Sequence, residues 1–188
     1  MGFFLKELEH TIQLHPRSFG QHLHKMLRER LHEEVEGTCT GRHGYIIAVL
    51  EITHVGHGVL QNTTGYAEYT ISYRGIVFKP FKHQVLQGIV TTVNTMGFFC
   101  SVGPLTVFVS SHMIPQNLRF DNSASRAAYV SDAGSMGHDA TGAPIAAQAR
   151  IESGETVRIR IIGTRVDASA IFAIGTIKED YLGPVATM

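Results

Sequence analysis

The chain has 188 residues, no formal net charge, 44% hydrophobic residues and 17% charged ones. That apolar content excludes intrinsic disorder, which needs low hydrophobicity and high net charge, and the length allows one large domain or two small ones. The balanced charge argues against tight, autonomous nucleic-acid binding, because Lys and Arg contacts to phosphate supply most of that affinity.

The first segment, Met1 to Leu14, carries apolar residues at Phe3, Leu5, Leu8, Ile12 and Leu14, spaced mostly by two or four, and predicts a strand ended by His15-Pro16. Lys6, Glu7 and Glu9 arrive too early for a signal peptide. Next, Phe19, Leu23, Met26, Leu27 and Leu31 recur at three- and four-residue steps and predict an amphipathic helix stopped by Gly37. Glu33-Glu34-Val35-Glu36 at its end reads as solvent-facing. The period then changes to two. Gly44 to Ile52 predicts a buried strand, and Tyr66 to Phe78 predicts two short strands around Arg74-Gly75. Between them VGHGVLQNTTG, residues 55–65, is too polar and glycine-rich for a core strand and predicts an exposed hairpin tip. Strand, helix and three strands give a small α+β domain over residues 1–80.

Lys79-Pro80-Phe81-Lys82 reads as a hinge-like junction. Beyond it the pattern is all-β. Leu86–Val93, Gly97–Cys100, Leu105–Ser110, Val157–Ile162 and Ala170–Ile177 are five short strands of the kind that build an OB-fold barrel, placed over residues 81–188. Residues 119–150, rich in Ser, Ala and Gly, lack apolar periodicity and are expected to form a mobile insertion between barrel strands. No carboxylate occurs between Glu68 and Asp121, whereas Arg74, Lys79, Lys82 and Arg119 fall there. No apolar run approaches the roughly 18–20 residues that span a bilayer.

Catalysis has no obvious home. His22 and His24 are two apart on a helix and diverge, which excludes the four-residue spacing of a helical zinc pair. His54 and His57 flank a loop with only Glu51 close by. No nucleophile elbow or phosphate-cradling loop is present. Gly56-His57-Gly58 begins like a dinucleotide fingerprint, but Asn62 stands where its last glycine belongs. Cys39 and Cys100 lie far apart and read as reduced, buried thiols of an intracellular protein. The chain is therefore expected to be no enzyme and to need no metal or cofactor.

Nucleic-acid chemistry is better supplied. A barrel binds single strands by stacking bases on surface aromatics flanked by cations. Phe98, Phe99 and Phe108 fall on the second and third barrel strands; adjacent Phe98 and Phe99 must face opposite ways, so one is core and the other outward. In Val157-Arg158-Ile159-Arg160-Ile161 the alternation turns both arginines outward. Phe99, Phe108, Arg158 and Arg160 are the RNA-contact candidates.

GIVTTVNTMGFF and VFVSSHMIP resemble the RNA-binding domain of the ribosomal-protein S-one type. Joined to LHPRSFG, EVEGTCTG, GIVFKPFK and IIGTRVDASAIFAIGTIKEDYLG, they resemble the seventh, stalk-forming subunits of DNA-directed RNA polymerase II over nearly the whole chain except about 119–150. The resemblance implies a truncated RNP-like tip domain that docks on the polymerase core near its clamp. It further implies a heterodimer with the fourth subunit, a barrel that contacts nascent RNA, a part in transcription initiation and a nuclear location. By position it assigns core docking to the tip loop, with Gly56, His57, Gly58, Val59, Leu60 and Gly65, and to the neighbouring turn with Pro16 and Phe19. Of three positions that commonly stack RNA in the S-one type, Phe99 and Phe108 keep an aromatic and Met96 replaces the first. The other reading of the residues is a free OB-fold RNA-binding module of translation or RNA decay, which the zero net charge disfavours.

Overall fold

Residues 2–122, 127–131, 150–167 and 169–185 are described by the structure, a computed structural model. They divide into two compact units, Met1–Lys79 with Asp167–Ala170, and Pro80–Val166 with Ile171–Met188.

In the first unit, β1 (Phe3–Leu14) alternates as its sequence demands, with Leu8, Ile12 and Leu14 buried and Leu5, Glu7, Glu9 and Thr11 exposed. The helix α1 is Leu23–Val35, β2 is Cys39–Thr40, β3 is Gly44–Val55, β4 is Val59–Leu60 and β5 is Ala67–Phe78. The antiparallel sheet runs β1-β5-β3-β2, and β4 also pairs with β5. The helix sets Leu27, Leu31 and Val35 into a core shared with Ile12, Ile71, Tyr73 and Val77.

Three local expectations need correction. Tyr66–Phe78 holds one continuous strand, because Gly75 interrupts nothing: its missing side chain lets the Ala48 carbonyl of bulged β3 come close, at 3.0 Å from where a Cβ would stand. The helix begins at Leu23 and not at Phe19. Pro16–Ser18 form a single 3-10 turn capped by His15, whose Nδ1 accepts the Arg17 N–H at 3.1 Å, and Phe19 is left 41% exposed. Within the expected exposed tip, Val59 and Leu60 pair with Glu68 and Ala67, so β4 resumes the β3 edge after Gly56-His57-Gly58. Glu36 is not a free surface charge. Its Oε1 accepts from the Val49 N–H at 2.8 Å and from His32 Nδ1 at 2.9 Å, and these bonds, the backbone one first, hold its carboxyl below the usual range.

In the second unit, β6 is Val85–Asn94, β7 Gly97–Val102 and β8 Leu105–Ser110; β9 (Leu118–Asp121), β10 (Ala128–Ser131) and β11 (Arg150–Ile151) form a separate three-stranded sheet; β12 is Thr156–Val166, β13 Ile171–Thr176 and β14 Gly183–Pro184. The strands β6, β7, β8, β13 and β12 follow one another in pairing order, and β12 pairs back with β6, so the sheet closes into a five-stranded barrel. β13 runs parallel to β8 while the other barrel pairings are antiparallel. This is the OB fold. Val90, Phe98, Cys100, Leu105, Val107, Val109, Val157, Ile159, Ile161, Ile171 and Ala173 fill the interior, each at most 1% exposed. Closure leaves the barrel no free sheet edge to protect.

The flanks of the expected insertion are built into structure. The sheet of β9, β10 and β11 buries Tyr129 and Ile151, and the Tyr129 hydroxyl donates to the Asn94 carbonyl at 2.9 Å, fastening that sheet to the end of β6. The remainder of that expectation, residues 123–126 and 132–149, lies outside the described residues.

Candidate nucleic-acid interface

The β7–β8 pairing sets Phe99 directly opposite Phe108. Inward alternation buries Phe98 and Cys100 on β7 and Val107 and Val109 on β8, which forces the two phenyl rings outward. They lie 4.8 Å apart by ring centroid with planes tilted by 40°, and Phe99 is 36% exposed. Such a pair is a ready platform for a base. Met96, in the turn before β7, is 70% exposed. Its N–H is held by Asn94 Oδ1 at 3.1 Å.

Arg158 and Arg160 do face outward on β12, but the register separates them from the rings. Arg158 stands opposite Gln87 and Arg160 opposite Val85 on β6, whereas Phe99 stands opposite Thr92. Gln87 and Thr92 are five residue steps apart along the strand, roughly 16 Å. Arg160 is also engaged: it forms an ion pair with Glu179, whose carboxyl is held low chiefly by that hydrogen bond. Arg158 Nη1 reaches the Tyr181 carbonyl at a long 3.5 Å. Both arginines thus serve the segment after β13.

The barrel presents three residues that the sequence reading passed over. Phe172 and Ile174 on β13 are each 50% exposed, because Ile171 and Ala173 take the inward places. Arg165 on β12 stands opposite Phe172 and is exposed. The alternation Ile171-Phe172-Ala173-Ile174 carried the signal: once the strand faces are assigned, an aromatic and a branched side chain must point out.

The expected docking residues gather at one end of the first unit. The turn after β4 closes with Gln61 N–H on the Tyr66 carbonyl at 2.8 Å, and a side chain placed on Gly65 would lie 3.7 Å from the Pro16 ring. His15 meets Tyr66 edge-on with centroids 5.2 Å apart. Glu68 accepts from both Gln13 and Gln61, which pins β4 to the β5 end. Gly58 is packed so closely over Tyr69 that any Cβ would stand 2.6 Å from its ring. Val59 and Leu60 are left 64% and 62% exposed on this braced turn.

Two family models match. The SHS2 domain found in the N terminus of Rpb7p, Rpc25p and MJ0397 matches residues 9–65, and the S1 RNA-binding domain matches residues 79–175. The chain is also 46% identical over 185 residues to DNA-directed RNA polymerase II subunit rpb7 of Schizosaccharomyces pombe, covering 97% of this chain and 99% of that protein. The chain belongs to the Rpb7 family. Other Rpb7 proteins align over the same span: that of Glycine max at 43% identity, covering 97% of this chain and 96% of its own length, and that of Saccharomyces cerevisiae at 40%, covering 97% and 99%. The Rpb7 assignment places the SHS2 match on the β1–α1–β3–β4 region and the S1 match on the barrel.

Proposed function

We propose that this Rpb7-family chain is a non-catalytic, nuclear stalk subunit of RNA polymerase II that supports transcription initiation. In this reading the tip around Val59, Leu60, Phe19 and Pro16 docks on the polymerase core near its clamp, a fourth-subunit partner completes a heterodimer, and the barrel contacts nascent RNA through Phe99 and Phe108.

The single observation that carries it is the near end-to-end match to polymerase II subunits, 97% of this chain against 99% of the Schizosaccharomyces pombe protein, with both units included. A free RNA-binding module would need only the barrel. The exposed, braced Val59-Leu60 turn supports the docking role, since large apolar side chains held rigidly in solvent suit a partner's pocket. The RNA role is supported by the outward ring pair on a barrel of the right topology.

The test is a tagged pull-down from the source cells with the co-purifying chains identified by mass. Recovery of the large polymerase II subunits with one small partner chain is expected. Recovery of ribosomes or RNA alone would overturn the stalk reading.

A further inference from the structure

We infer that the RNA-contact surface of the barrel, on the reading just given, continues across β13, where Phe172 stacks a second base and Arg165 meets its phosphate. Two rows of outward side chains cross the barrel wall in register. The first is Phe99, Phe108 and Ile174; the second, two residues along, is Ser101, Thr106, Phe172 and Arg165.

Folding does not account for these outward residues. The packing of β13 is carried by Ile171 and Ala173, each 1% exposed, while Phe172 and Ile174 keep half their surface in solvent. Single exposed apolar side chains are ordinary, but a contiguous cluster over three paired strands marks a contact surface.

Charge favours RNA as the occupant. The strands GFFCSV, LTVFVS and IFAIGT contain no Asp or Glu. Arg165 makes no ion pair among the described residues, in contrast to Arg74 with Glu51, Arg150 with Glu152 and Arg160 with Glu179. The carboxylate nearest in sequence, Asp167, lies two positions beyond it in the connection to β13. A guanidinium beside a phenyl ring can bond a phosphate bidentately and also stack on a base. The exposed Thr106 hydroxyl lies beside Phe172 in the same row and suits a ribose or phosphate oxygen.

The spacing also fits. Phe172 is one strand over and two residues along from Phe108, roughly 8 Å between Cα atoms. That is too far for two bases stacked on each other and suits neighbouring nucleotides splayed over separate rings.

The experiment is a fluorescence-anisotropy titration of the full chain with a labelled hexauridylate, repeated over a series of salt concentrations. Phe172→Ala is expected to weaken binding by roughly 5- to 150-fold, the range for loss of one stacked base. Phe172→Tyr should restore it, and Phe172→Leu, which keeps apolar bulk without a π-face, should not. Arg165→Gln should lower the slope of log affinity against log salt by about 0.7, as for one phosphate contact on a single strand. All three positions tested, Phe172, Arg165 and, for comparison, Phe99, are at the surface, so thermal melting is expected to stay unchanged. If Phe99→Ala weakens binding while Phe172→Ala and Arg165→Gln bind as the parent does, the extension is wrong and the RNA reading stands. If Phe99→Ala also has no effect, the RNA reading itself falls. Full binding by Phe172→Leu with reduced polymerase recovery would make the patch a protein contact and overturn the inference.

Discussion

Gly97 and Gly103 pose a paired test of how the barrel wall is held. Both have positive φ, +142° and +59°; Gly97 opens β7 and Gly103 sits in the turn between β7 and β8. Their surroundings differ sharply. A Cβ on Gly97 would stand 2.0 Å from the Val109 carbonyl oxygen and 2.9 Å from the Ser110 Cα, whereas nothing lies within 4 Å of one on Gly103. The Gly97 neighbours are main chain, so no side chain can swing aside and β8 itself must move. Backbone strain of about 1–3 kcal/mol and overpacking of about 1–3 kcal/mol put Gly97→Ala at roughly 2–6 kcal/mol. Gly103→Ala bears only the left-handed penalty of about 1–2 kcal/mol, partly offset by about 0.4–1 kcal/mol from a stiffer unfolded chain. Urea unfolding of the full chain followed by circular dichroism should separate the two midpoints by about 1 M, given slopes of roughly 1–3 kcal/mol per molar. Because the Gly97–Ser110 pair is two positions from Phe99–Phe108, RNA affinity should drop for Gly97→Ala even below the transition. Equal midpoints for the two variants would refute the claim that close backbone approach, and not conformation alone, requires glycine at 97.

Three further outcomes follow from particular contacts. Cys100 lies in the barrel interior with burial pushing its thiol to about 12, while Cys39 is half-buried and raised less; a thiol reagent at pH 8 should modify Cys39 in the native chain and Cys100 only on unfolding, and equal rates would contradict the closed barrel. Val59→Ser with Leu60→Ser should leave the melting temperature unchanged but reduce recovery of polymerase at least tenfold, since burying each side chain contributes about 1.5–3 kcal/mol; undiminished recovery would remove the docking assignment. Glu36 is held below its ordinary pKa, so its stabilisation is complete above the unfolded value of about 4.3 and is lost as pH falls through the lower folded value; Glu36→Gln should be less stable at pH 7 and lose less stability on acidification, as thermal melts across pH 3–7 would report.

Much of the architecture could be read from periodicity. Val157 to Ile161 alternates so strictly that inward and outward faces follow from the pattern alone. The misreadings have physical causes. Gly75 looked like a break because glycine usually weakens a strand, but here it admits a neighbouring carbonyl. Phe19 fits the helical stripe by spacing, yet Pro16 starts a separate turn before it. Tyr129 gave no periodic signal, since its strand is four residues long and gains its burial from β6 and from a two-residue strand more than fifteen positions away. For the site, alternation specified the face of Arg158 and Arg160 but not their height on the barrel. Only the pairing of β12 with β6 places them far from the aromatic rings.

That misplacement bears on how such a chain would use RNA. With Arg160 committed to Glu179 and Arg158 placed far along β12 from the rings, Arg165 is the arginine left opposite Phe172 without an ion pair among the described residues. Two stacked bases at about 1–3 kcal/mol each and one phosphate contact sum to roughly the free energy of a millimolar complex, about 4 kcal/mol. A free module with that affinity would hold any one transcript only weakly. A barrel tethered to the enzyme that extrudes the transcript meets it at an effective concentration on the order of millimolar, which is the range where so weak a site fills and empties as RNA passes. In the proposed reading the zero net charge has a functional sense: it would keep the surface from retaining RNA, so occupancy would depend on docking through the exposed Val59 and Leu60. On this account, a chain that cannot dock should lose RNA crosslinking in cells while its affinity for hexauridylate in solution is unchanged.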